Sequence, residues 1–292
     1  MAISIMTNLP SMAAQRNLNK TQHRLNGNLG RLSSGLRINQ SSDDAAGLAI
    51  SEKLKSQIRS MGQAERNAQD GVSMLQTAEG ALNETSSMLT RMRELAIQSG
   101  NGTLGSSERS FLQDEMSELS NEIDRIADVT EFNGAMLIDG SFSGTTNAVE
   151  FQVGIEAASS NQLTLSIGDM HTSQLGLNAA SSGGVAAASD INSIDISTVS
   201  GAKAALNTID QAISDVSEQR GDIGATQNRL QVTISNLQSA RENLSAANSR
   251  IRDVDVAQET AALTRNNILM QAGVSVLSQA NQAPSIALSL LG

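Results

Sequence analysis

The chain has 292 residues, enough for one or two ordinary domains, with 39% apolar residues and a net charge of −10. That balance excludes a disordered chain, and its acidity excludes nucleic-acid binding, which needs a basic stripe. With no Cys, disulfides and thiolate chemistry are excluded; with no Trp, no Tyr and four Phe, a compact aromatic-filled core is excluded as well.

Residues 1–15 are uncharged and include Ile3, Ile5, Met6, Leu9 and Met12. They lack the basic start of a secretory signal peptide. Leu18, Leu25 and Leu32, with Leu29 and Leu36, then mark a first amphipathic helix. Ser41-Ser42-Asp43-Asp44 reads as a helix start, with hydroxyls for capping and carboxylates in the positive first turn. The helix it opens runs from about Ala45 to about Ser99, on the order of 80 Å at 1.5 Å per residue.

That long helix carries a heptad stripe: Leu54, Met61, Ala68, Leu75, Leu82, Leu89 and Ala96 lie seven residues apart. The intermediate four-residue offsets are mixed, with Ile58 and Val72 apolar but Glu65, Glu79 and Arg93 polar. A breaker cluster, Gly100 to Gly105, predicts a short connection to an antiparallel helix from about Ser107 to about Asp128. Its inner face is Leu112, Met116, Leu119, Ile123 and Ile126.

The character changes near Thr130. Asn133-Gly134 is a hairpin turn signal, and alternation over Phe151–Ile155 and Leu163–Ile167 predicts half-buried strands. Ala179 to Ser189 reads as a Ser/Gly/Ala-rich loop. The stretch from about 130 to 198 is a small β-rich insert. From about Ser200 a second heptad stripe follows: Ala202, Ile209, Val216, Ile223, Leu230, Leu237, Leu244 and Ile251. Its polar offsets are Arg220, Gln227 and Arg241.

The last 27 residues, from Asn266, are uncharged, with Leu269, Ala272, Val276, Ala283, Ile286 and Leu290 at helical spacing. Asn, Gln and Ser recur throughout them, so membrane insertion is not expected. Only Pro10 and Pro284 occur, both near an end, which leaves the interior free for long helices.

Two seams of similar length predict a mainly α fold: a long antiparallel coiled-coil-like helical rod with a small β-hairpin insert. Terminal helices over 1–42 and 253–292 flank a helical body over 43–252. The intrachain seam is assigned to Leu54, Met61, Leu75, Leu82, Leu89, Ile209, Val216, Ile223, Leu230, Leu237 and Leu244.

Catalytic chemistry is missing from the pattern. His23 and His171 are isolated, with no neighbour at metal-ligand spacing. The carboxylate pairs Asp43/Asp44 and Asp253/Asp255 fit helix caps better than acid–base catalysis. No phosphate loop or dinucleotide fingerprint is present. No catalytic, metal or cofactor residue is assigned; the chain does not read as an enzyme.

Several local sequences resemble bacterial flagellins: Leu32-Ser-Ser-Gly-Leu-Arg-Ile-Asn39, Asp43-Asp-Ala-Ala-Gly-Leu-Ala-Ile50, Asn67-Ala-Gln-Asp-Gly71, Thr77-Ala-Glu-Gly-Ala-Leu-Asn83 and Arg93-Glu-Leu-Ala-Ile-Gln-Ser99. Asn121 to Arg125, Phe132-Asn-Gly134, Ala240 to Asp253 and Gln271 to Gln282 continue the likeness in the family's order. It covers about 1–140 and about 200–292. Gly292 departs from the pattern, where a basic residue is common.

The resemblance implies an extracellular subunit of the flagellar filament, exported through the flagellar type III apparatus and polymerised beneath a cap. It implies a homopolymer whose terminal segments form the filament core, here Leu25, Leu29, Leu32, Ile268, Leu269, Val276, Leu277 and Leu290. It also implies hook-associated proteins as partners and an export chaperone on the C-terminal segment. In members detected by the vertebrate Toll-like receptor for flagellin, the contact region lies on the first long helix and the helix after it. The matching positions are Arg91, Leu95, Gln98 and Glu115, on a surface that also serves as a protofilament contact. Two other readings compete: a coiled-coil signalling hairpin, which shares the heptads but lacks a β insert and uncharged ends, and a hook–filament junction protein, which shares the terminal pattern but matches the central helical blocks less well.

Overall fold

The computed structural model describes residues 7–144, 146–177 and 190–289. Five α-helices form: α1 (Leu9–Ser34), α2 (Ala45–Ser99), α3 (Ser106–Val129), α4 (Val199–Arg252) and α5 (Val256–Ser289). Two antiparallel strand pairs lie between α3 and α4: β1 (Glu131–Phe132) with β2 (Ala135–Met136), and β3 (Val149–Gln152) with β4 (Gln162–Leu165). The fold is predominantly helical with a small β insert. The loop expected at 179–189 and the core position Leu290 lie outside the described residues.

Local chemistry explains the helix ends. The Asn8 side chain accepts from the Ser11 amide, Pro10 sits in the first turn, and Gly35 closes α1 at φ 69°. The two carboxylates before α2 divide the work. Asp44 Oδ1 caps the Gly47 amide at 2.9 Å. Asp43 Oδ2 instead accepts from the Gln40 and Asn39 amides, each at 3.1 Å, and these bonds lower its pKa.

The Asn133-Gly134 signal forms the predicted tight hairpin: φ is 53° and 80°, so both central residues take the left-handed region. The second hairpin pairs Phe151 with Leu163 and Val149 with Leu165. It begins ahead of the predicted spans, because the chain turns after Gln152. The Gln152 amide closes that turn by donating to the Gly154 and Glu156 carbonyls at 2.9 and 3.0 Å.

Packing divides the chain into two compact units, residues 1–59 with 242–292 and residues 60–241. Both division points fall inside long helices, whereas the helix breaks themselves lie before Ala45 and after Arg252.

The terminal unit joins α1 and α5 antiparallel. Asn8 Nδ2 donates to the Ala280 carbonyl at 2.9 Å, Ser11 Oγ to Asn281 Oδ1 at 2.7 Å, and at the other end Arg31 faces Glu259 at 4.0 Å. The helices approach closely where Gly273 opposes Leu18; a Cβ there would lie 3.1 Å from Leu18 Cδ1. A short bridge between Leu36 and Asp253 ties the two ends together, with Arg37 N donating to the Arg252 carbonyl at 2.6 Å.

The central unit holds one apolar core. It takes Leu75, Leu82, Leu89, Met92 and Leu95 from α2, Met116 and Ile123 from α3, and Ile209, Val216, Ile223 and Leu230 from α4. Leu137, Ile138, Ile167, Leu175 and Ile191 of the insert complete it. Phe151 packs on Gly71, where no side chain would fit.

Seam burial follows this cover. Leu75 through Leu89 and Ile209 through Leu230 are buried, but Met61 and Leu237 are only half-buried, as are Leu54 and Leu244 in the other unit. Among the described residues, the lowest hydrogen bond from the insert to α2 is Asn67 Nδ2 to the Gln152 carbonyl, at 3.1 Å. Beyond that cover, two helices alone shield only the facing side of each stripe.

Among the described residues, five of the six polar offsets, all but Arg220, have partners across the seam. Arg93 meets Asp210 at 2.6 Å, Gln227 donates to Glu79 at 3.0 Å, and Arg241 and Gln238 donate to Glu65 at 2.6 and 2.7 Å. Glu65 is buried, yet both its oxygens are satisfied. In the terminal unit Arg252 reaches Glu52 at 2.7 Å in the same antiparallel sense.

Candidate assembly surfaces

The α1–α5 pair has a narrow inner seam of mixed polarity. Between the helices sit Ser11, Asn28 and Asn266, all buried, along with Gly273. Leu25 is buried there too and Leu18 packs on Gly273, but other large apolar side chains point outward: Leu9 is 68% exposed, Ile268 60%, Val276 55%, and Leu29 and Leu269 48% each. Of the core positions assigned from sequence that lie among the described residues, only Leu25 is buried inside the subunit, while Leu32 and Leu277 are half-buried. A close two-helix contact has room for small and short polar side chains on its inner side. Branched side chains beyond that narrow seam are left on the outer side. Covering each of them would stabilise an assembly by roughly 1.5–3 kcal/mol. Such a concentration of exposed apolar surface marks an interaction face.

A second surface lies on α2 and α3. Arg91 donates Nη2 and Nε to Glu115 Oε1 at 2.8 and 2.9 Å, and Nη1 to Glu94 at 3.0 Å. The Glu115 bond, then the Glu94 bond, raise the Arg91 pKa further above its ordinary value. Gln98 stands exposed on the same helix. Leu95 does not: its exposure is 0%, because it faces the central core. Leu95 supports the wall behind the surface.

Polar contacts weld the insert and α3 to the long helices. Arg109 is buried, and its guanidinium donates to the Ser99 and Asn101 carbonyls at 3.1 and 2.7 Å, closing the end of α2. Gln113 donates to the Ile194 carbonyl and accepts from the Ile196 amide, at 3.2 and 2.7 Å. Asp124 accepts from the Thr172 amide and hydroxyl at 2.8 and 2.9 Å. His171 lies between Asp169 at 2.5 Å and Asp128 at 3.2 Å. Burial pushes the imidazole pKa down, but the Asp169 and Asp128 hydrogen bonds outweigh it and leave the pKa raised.

None of these groups is set up for catalysis. Both ring nitrogens of His171 are taken up by carboxylates, and the Asp169–His171–Asp128 trio joins the insert to α3. Asp253 accepts from Ser249 at 2.7 Å, and Asp255 caps the Ala257 and Gln258 amides at 2.9 and 3.2 Å. Among the described residues no group of three His, Asp or Glu side chains could hold a metal ion. No described helix is long and apolar enough to cross a membrane.

Sequence reasoning missed two features. Phe111 is 72% exposed on α3, although it was counted only as one of four aromatics. The signal was its place off the Leu112–Met116 stripe, among Ser107, Glu108 and Asp114. Arg109 gave no signal, since a buried arginine that caps another helix follows no local pattern.

The family model of the bacterial flagellin N-terminal helical region matches residues 5–143, and that of the C-terminal helical region residues 206–291. A flagellin of Halalkalibacterium halodurans is 46% identical over 284 residues, spanning 97% of this chain and 98% of that one. A flagellin of Bacillus subtilis is 44% identical over 281 residues, 90% of this chain and 91% of that one. A structure assigned as a flagellar hook-associated protein from Vibrio parahaemolyticus aligns over 72% of this chain and 100% of its own, with a TM-score of 0.58. At 18% identity that likeness concerns the fold alone.

Proposed function

The chain belongs to the bacterial flagellins and is a structural subunit of the extracellular flagellar filament, a homopolymer and not an enzyme; from that premise we propose that α1 and α5 are its polymerisation element. The carrying observation is the outward set of Leu29, Ile268, Leu269 and Val276 on a helix pair that buries polar residues inside. In this reading residues 1–42 and 253–292, Leu290 included, form the filament core. Residues 43–252, with the insert at about 130–198, form the surrounding shell.

An uncharged apolar face would also be a hazard before assembly. That supports export through the type III route with a chaperone on the C-terminal segment, and contact with the cap and hook-associated proteins at the growing end. The α2–α3 surface with Arg91, Gln98 and Glu115 is proposed as the protofilament contact and as the patch that a vertebrate Toll-like receptor would meet. The hook–filament junction reading has less support, since its likeness is one of fold, whereas relatives called flagellin share 44–46% identity over most of the chain.

Seeded polymerisation tests the proposal. Removing residues 1–30 or 265–292 should abolish filament growth while the far-UV helix signal of residues 60–241 persists. Filaments growing normally from either truncated chain would refute it.

A further inference from the structure

Phe111 is a large apolar side chain that nothing in the subunit covers, at 72% exposure. Single exposed apolar residues are ordinary. This one stands among carboxylates on the same outward face of α3: Glu108, Asp114, Glu115 and Glu118, three, four or seven residues away. The central unit also holds a hollow of complementary chemistry. Between the β3–β4 hairpin and α4 lies a space of about 530 Å³. Val153, Leu163 and the 61% exposed Val232 give it apolar walls, Asn161, Gln162 and Asn228 add amides, and Arg229 lines it as well. Among the described residues Arg229 forms no ion pair.

Two other hollows on this unit suit the knob less well. One is lined by amides and by Glu156, which would repel the acidic helix. The other, between α2 and α4, has no basic side chain in its lining to meet the carboxylates.

We propose that Phe111 of one subunit seats in the Val153–Leu163–Val232 hollow of a second copy of the chain, with the α3 carboxylates facing Arg229. The occupant is a second copy because the protein is a homopolymer and carries both halves of the contact. In a filament each copy's knob enters the next copy's hollow without the reciprocal contact, so the contact is head-to-tail. Such a contact propagates into an open helical array instead of closing a dimer. The inference rests on the filament-subunit reading and goes beyond it by naming the contact.

The wild-type chain has no Cys, so introduced thiols report only on themselves. The double variant F111C/V232C is mixed with an equal amount of wild-type protein, grown on wild-type seeds, pelleted and treated with a short bifunctional maleimide. The expected result is a ladder of covalent dimers and longer species from filaments. Monomeric double variant, or filaments of either single variant, should give no ladder. Pelleting of the wild-type chain reports assembly separately, so a failure of the filament reading is distinguishable. Double variant present in filaments without a ladder overturns the contact. If the thiol variant stays out of filaments, the charges decide: R229E should slow seeded elongation several-fold, and E108K/E118K in the same chain should restore it. Unchanged elongation, or loss without restoration, overturns the proposal.

Discussion

The central unit and the terminal helix pair use the same amino-acid vocabulary in opposite ways. In the central unit, Leu, Ile and Met face inward and meet a third helix and a β insert, so Leu75, Leu82 and Leu89 have no exposed surface. In the terminal pair, Ser11, Asn28, Asn266 and Gly273 share a narrow inner seam with Leu18 and Leu25, and many of the other branched side chains face out. Apolar periodicity alone does not distinguish the two, since a stripe says that a face will be covered but not by which chain. The difference lies in what fills the closest contact. Where it is Leu against Leu, the subunit completes its own core; where it is Gly273 against Leu18, the remaining apolar surface is left for others.

The sharpest way to break this comparison is one truncation in each region. Leu89→Ala should lower the monomer's unfolding free energy by about 3–5 kcal/mol, read by urea denaturation, because it opens a cavity in a filled core. Ile268→Ser should change monomer stability by no more than about 0.5 kcal/mol and yet stop seeded polymerisation, read by sedimentation. Comparable losses of monomer stability would mean that the terminal pair is a closed core like the central one.

A smaller effect probes how the central unit keeps its ends. Arg109→Met should cost about 2–3 kcal/mol, since the Ser99 and Asn101 carbonyls lose a buried charged donor. Hydrogen exchange should rise first in the last turn of α2. Glu65→Ala should cost less, about 1–2 kcal/mol, because Arg241 is partly exposed and can turn to water once its partner is gone. If Glu65→Ala proved the costlier of the two, the polar rungs rather than the helix-end closures would hold the unit together.

Sequence reading went furthest where geometry is periodic. The bounds of α2 and the start of α4 were legible because a heptad repeat, a carboxylate cap and a glycine cluster agree. The Asn133-Gly134 hairpin was legible for a similar reason: the required φ angles select those residues. The polar offsets Glu65, Glu79 and Arg93 were visible as exceptions, but their partners depend on the antiparallel register, which no local pattern encodes. Family likeness supplied residue types on α2 but not their directions. It therefore grouped Leu95 with Arg91 and Gln98, although the helix turns Leu95 into the core. The exposed Phe111 and the buried Arg109 depend on tertiary position alone, and periodicity is silent about both.

The weakest expected effect separates a weld of the insert from the apolar packing around it. His171 has a raised folded-state pKa, so its contact with Asp169 and Asp128 stabilises the protonated form. That contribution is fully present below the unfolded value of about 6.5 and is lost as pH climbs through the raised folded value. The urea midpoint of the central unit should therefore fall slightly from pH 6 upward through that range, and H171Q should remove this part of the slope. A contribution that grew as pH rose would mean that the imidazole is held neutral. The insert would then be anchored by Asp124, Gln113 and its apolar side chains, with His171 a passive neighbour.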